Sequence, residues 1–143
     1  RGIFGGGSPN TNTIEFLTIS TTGNTATFGQ LSQARDQNAG ASNSIRGLFL
    51  SGNSFINTID YITIASAGNA TSFGQLTVAK HYGGACASST RVVYGGGVTP
   101  GPTASSVIDY VTIMTLGNAI NFGNLTAARW AVTSAFSNGH GGL

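Results

Sequence analysis

The chain has 143 residues, with six Lys plus Arg, four Asp plus Glu and a net charge of +2. Charged residues make up only 7% of it, which argues against a helical protein that solvates its surface with charge. A hydrophobic content of 40% argues against disorder, and so small a net charge gives no case for nucleic-acid binding. No run approaches 18 apolar residues, so no membrane-spanning helix is expected.

Internal repetition organises everything else. Arg1-Gly2-Ile3-Phe4 returns as Arg46-Gly47-Leu48-Phe49 and as Arg91-Val92-Val93-Tyr94. Each copy is a short apolar strand; the first and third run into Gly5-Gly6-Gly7 and Gly95-Gly96-Gly97, read as strand-end turns. Next come Ile14 to Ile19, Ile59 to Ala65 and the counterpart from Ile108, whose alternation has the period of two of a strand. Gly23-Asn24, Gly68-Asn69 and Gly117-Asn118 follow, a pair that suits a tight hairpin turn with positive φ. The return strands carry Phe28, Phe73 and Phe122, and Asn69 to Leu76 is the second of them. Small-residue strands close each unit at Asn38–Ser42, Tyr82–Ala87 and Ala131–Phe136. The repeats are therefore 1–45, 46–90 and 91–139, with the start of a fourth expected at His140. Four extra residues fall in the third, near Pro100 and Pro102.

Short strands repeated at about 40–50 residues point to all-β propeller blades of four antiparallel strands. A β-solenoid is the alternative, because Gly/Asn/Thr-rich repeats also suit it. The order Gly95-Gly96, Asp109-Tyr110, Phe122, Leu125 and Arg129, matched in the other units, resembles kelch repeats, which form β-propellers. Phenylalanine stands where kelch repeats carry tryptophan, and Ser51-Gly52 replaces one diglycine. Gly/Asn/Thr-rich arrays of this kind also resemble those of large tailed-phage structural proteins. That resemblance implies an adhesin or virion-fibre role, extracellular or virion-associated.

The charges keep register. All six cations occupy two repeat positions, Arg1, Arg46, Arg91 and Arg35, Lys80, Arg129; Glu15, Asp60 and Asp109 share a third. In a charge-poor chain this is the pattern that ion pairing and hydrogen bonding between units would leave. Arg1, Arg46, Arg91, Asp60 and Asp109 are accordingly read as structural. Asp60 and Lys80 should lie on one face and Arg46 nearer the other.

Binding candidates lie where the repeats disagree. After the second cation come Asp36-Gln37, His81-Tyr82 and Trp130-Ala131. Arg35, Lys80, His81, Tyr82, Arg129 and Trp130 are the candidate binding residues, since aromatic rings beside polar groups suit sugar stacking and hydroxyl bonding. The glycine runs are not phosphate loops, because no Gly-Lys-Ser/Thr follows. Cys86, the single cysteine, reads as a small buried residue, and neither a metal site, a cofactor nor a catalytic set is expected. The reading is a non-enzymatic structural or adhesion module that presents loops to a glycan or protein surface; the alternative is a fragment of a propeller-containing glycan-active enzyme.

The chain opens one strand late and stops one strand into a new unit, as an excised segment would. Ala131–Phe136 should therefore pair with a strand equivalent to Ile3–Phe4, from a second copy or from flanking chain. Otherwise an apolar face with Phe4, Leu17 and Ile19 stays open.

Overall fold

The computed structural model describes residues 1–132 and 134–139. They form thirteen strands and no helix: β1 (Gly2–Gly5), β2 (Thr11–Leu17), β3 (Ala26–Arg35), β4 (Ala39–Ser42), β5 (Arg46–Leu50), β6 (Thr58–Thr63), β7 (Thr71–Gln75), β8 (Gly84–Ala87), β9 (Arg91–Gly95), β10 (Val98–Thr99), β11 (Thr103–Ala104), β12 (Val107–Thr112) and β13 (Ile120–Asn124). The sheets run β1-β2-β3, β4-β5-β6-β7 and β8-β9-β12-β13, with β10-β11 a separate hairpin. Every pairing is antiparallel, which removes the parallel stacking of a solenoid. Among the described residues the sheets stay separate and do not close into a barrel.

Each sheet repeats the same register down to its irregularity. The bulge falls between Ile14 and Glu15, between Ile59 and Asp60, and between Ile108 and Asp109. The extra residue on the return strand is the repeated phenylalanine. Phe28, Phe73 and Phe122 each meet Phe16, Tyr61 and Tyr110 edge to face, with centroids 5.9–6.0 Å apart.

Cores form between sheets. Ile14, Phe28 and Leu31 of the first pack with Phe49 and Ile62 of the second. Leu48, Ile59, Phe73 and Leu76 of the second pack with Tyr94, Val111 and Ile113 of the third. The middle sheet is covered on both faces, so β6 is buried at both Ile59 and Asp60. The small-residue strands β4 and β8 pack against each other, as crowding would require.

Several expectations need correction. Neither Gly68 nor Asn69 has positive φ, and the pair makes no hairpin turn of that kind. It is a strap to the neighbouring unit instead. The Gly68 and Ala70 amides donate to the Phe28 and Gln30 carbonyls, both at 2.8 Å, while Asn69 Oδ1 accepts from the Gln30 amide. Gly117, Asn118 and Ala119 repeat all three bonds on Phe73 and Gln75. The strap covers the outer edge strand of the preceding unit, an edge otherwise open to chance pairing. A Cβ on Gly29 or Gly74 would overlap the carbonyl of Gly68 or Gly117, so these positions need glycine for close approach.

The described residues of Ala131–Phe136 lie outside any strand, and no pairing with β1 is described. One backbone bond, from the Val132 amide to the Tyr82 carbonyl, marks where that strand was expected. The four-residue insertion adds β10 and β11 around Gly101, which takes a φ of 84°. Cys86 is half-buried rather than buried, and burial raises its thiol pKa. The fourth repeat and His140 lie outside the described residues.

Candidate functional site

The second-position cations reach across the unit boundary. Arg35 pairs with Asp60 at 2.7 Å and Lys80 with Asp109 at 3.2 Å, all four side chains buried. Arg35 also donates to the Ser51 and Thr58 carbonyls, and Lys80 to the Val107 carbonyl. The hydroxyls of Ser32 and Thr77 donate to the same carboxylates. Burial lowers the Arg35 and Lys80 pKa values, and the partner carboxylates oppose that shift. This geometry corrects the binding assignment of Arg35 and Lys80, because a buried, paired cation cannot reach a ligand at the surface. Arg129, their counterpart in the third unit, is exposed.

The first-position cations pack against aromatic rings of their own units. Arg1, Arg46 and Arg91 lie over the rings of Phe16, Tyr61 and Tyr110 at 4.6–4.8 Å. Arg1 and Arg46 then donate to the Ile64 and Ile113 carbonyls of the following unit.

The divergent loops after Arg35, Lys80 and Arg129 converge, and the β5–β6 loop joins them. Phe55 stacks on His81 at 4.8 Å, His81 meets Tyr82 at 5.1 Å, and Tyr82 meets Trp130 at 6.0 Å. Trp130 is 58% and Tyr82 38% exposed, so the end of this aromatic run faces solvent. Tyr82 also lines a cavity of about 560 Å³ with Gln37, Asn38, Ala131, Gly40 of β4 and Gly84 of β8.

Three elements hold the run in place. The insertion matters first: Val98, at the base of the β10-β11 hairpin, exchanges backbone hydrogen bonds with His81. The loop backbones are next. Gln37, Tyr82 and Ala131 occupy one repeat position, and all three take φ between 55° and 59°. Left-handed backbone costs a non-glycine residue about 1–2 kcal/mol and persists where the surroundings impose it. The Tyr82 amide donates to the Gln37 carbonyl, and the Val132 amide to that of Tyr82, which ties the three loops together. Burial lowers the His81 pKa against the opposing charge of Asp36, so the ring is held toward its neutral form.

The sequence singled out His81, Tyr82 and Trp130, and these come together. It missed Phe55, whose counterpart at the same offset in the first repeat is Asn10, so no periodic signal marks it. Gln37, which the sequence placed in a divergent pair but outside the candidate binding residues, is a wall of the cavity. No group of three or more metal-ligating side chains occurs among the described residues. Among the same residues no helix is long and apolar enough to cross a membrane. Comparison with protein-family models and with curated proteins finds no match to this sequence.

Proposed function

We propose that this chain is a non-enzymatic, kelch-like propeller module that binds glycan on the loops joining outer to inner strands. The observation that carries the reading is the Phe55–His81–Tyr82–Trp130 run, which ends in exposed rings beside a cavity walled by Gln37 and Asn38. Flat rings suit the C–H faces of a sugar, and side-chain amides suit its hydroxyls. The repetition, the Gly/Asn/Thr-rich composition and the divergence of loops on a constant frame support a structural or adhesive role. They fit an extracellular or virion-associated protein such as a tailed-phage component.

Trp130 is the only tryptophan, so its fluorescence reports the site directly. A glycan array followed by fluorescence titration is expected to give saturable binding with a change in Trp130 emission. Trp130→Ala should abolish binding without moving the melting temperature. Absence of binding to any glycan overturns the ligand class, and turnover of a bound sugar favours the enzyme-fragment alternative instead.

A further inference from the structure

The contacts that join one unit to the next have unfilled halves at the two ends of the stack. At the third unit, Phe122 is 55% exposed, whereas Phe28 and Phe73 are each 4% exposed beneath the following unit. Arg129 is exposed and has no carboxylate partner among the described residues, whereas Arg35 and Lys80 are paired. Space beside Gly123 is open, where Gly29 and Gly74 carry a strap. At the first unit, Phe4 is 57% exposed against 6% for Phe49 and 0% for Tyr94. Ile19 is 73% exposed against 0% for Ile113.

The two ends also match in polar detail. Arg35 is held by the Ser51 carbonyl, the Thr58 carbonyl and Asp60. The residues at those repeat positions in the first unit are Gly6, Thr13 and Glu15. Together with Phe4 these line a cavity of about 290 Å³ that no cation of this chain fills. Thr126 stands where Ser32 and Thr77 donate to the carboxylate, ready to do the same.

We infer that the front of the first unit docks on the back of the third unit of a second copy of this chain. Arg129 of one copy fills the Gly6–Thr13–Glu15 socket of the next, and Gly23-Asn24 straps the open edge of β13 at Phe122–Asn124. The occupant is a second copy because the socket, the charge sign, the strap and the apolar faces repeat the two junctions already formed inside one chain. The surface on one partner differs from that on the other, so the contact is head to tail, with ring closure or continued stacking set by its rotation. This inference does not depend on glycan binding.

Sedimentation velocity of residues 1–143 up to about 100 µM tests it, a range in which a micromolar contact is populated. Reversible association is expected, and each of Glu15→Arg and Arg129→Glu should weaken it roughly tenfold or more through like-charge repulsion. Because both side chains are exposed, the variants should melt like the parent. The decisive protein carries both changes, which restore opposite charge across the contact and should restore association. A protein that stays monomeric throughout overturns the inference. So does association that ignores the single variants, or a double variant no better than either.

Discussion

The Tyr94 hydroxyl donates to Ser51 Oγ at 2.9 Å, and these are two residues at which their repeats depart from the common pattern. Tyr94 stands where the other units have Phe4 and Phe49, and Ser51 where they have Gly6 and Gly96. Ser51 keeps the glycine backbone, with φ of 66° against 74° at both glycines. The same phenol oxygen accepts from the Gly83 amide. Two substitutions in neighbouring units thus answer each other across a buried junction. Tyr94→Phe leaves Ser51 Oγ and the Gly83 amide without this partner. It should cost about 1–3 kcal/mol by urea denaturation. Adding Ser51→Gly relieves left-handed strain and removes one orphan, so the double variant should recover part of the loss.

Breaking a buried pair is expected to be harsher. Arg35→Met leaves Asp60 buried without its counter-ion and should destabilise by about 3–5 kcal/mol. The combined Arg35→Met and Asp60→Leu protein should unfold at a higher denaturant concentration than Arg35→Met alone. If the single variant unfolds with the parent, the pair does not anchor the first junction.

The straps give a positional test. Gly74→Ala places a methyl group on the Gly117 carbonyl, so the strap of the third unit must move. Thermal unfolding should fall by several degrees. Hydrogen exchange at the Gly117 and Ala119 amides, which donate to Phe73 and Gln75, should speed up more than exchange within β5 and β6.

Acid should weaken the aromatic run. The folded pKa of His81 lies below its ordinary 6.5, with burial as the larger cause and Asp36 opposing. Between that lowered value and 6.5 the unfolded chain binds more protons than the folded one. Stability therefore rises with pH through this window and is lost as pH falls through it. Melting temperatures at about pH 7.5 and about pH 5 should differ more in the parent than in His81→Gln. An equal difference in both proteins would show that His81 titrates normally in the fold.

The repeats made much of this legible in advance. β5 runs one residue past the Arg46–Phe49 copy read from the sequence, and two of the register-locked acids, Asp60 and Asp109, pair with a cation of the preceding unit. Which neighbour each cation reaches was harder, since Asp60 has Arg35 before it and Lys80 after it at comparable chain distances. Only the packing of successive sheets selects Arg35. Gly68-Asn69 misled for a related reason: a glycine–asparagine pair looks the same whether its backbone turns the chain or its amides grip a neighbour. Phe55 stayed hidden because a residue that occurs in one unit leaves no periodic trace. Ala131–Phe136 carries a strand-like composition, but composition does not supply the adjacent strand that a ladder requires.

The strap has a further consequence for how such a protein can change length. Every junction is specified by residues that recur in each unit: one cation, one acid, one bulged phenylalanine and one glycine–asparagine pair. A gene segment duplicated in frame therefore brings both halves of a finished junction with it, and nothing new must be selected before the longer chain packs. The loops after the second cation join their neighbours through backbone bonds, so their side chains can differ from unit to unit. A lineage of such proteins would vary its unit number and its loop side chains independently, with length set by copying and loop surface set by point mutation.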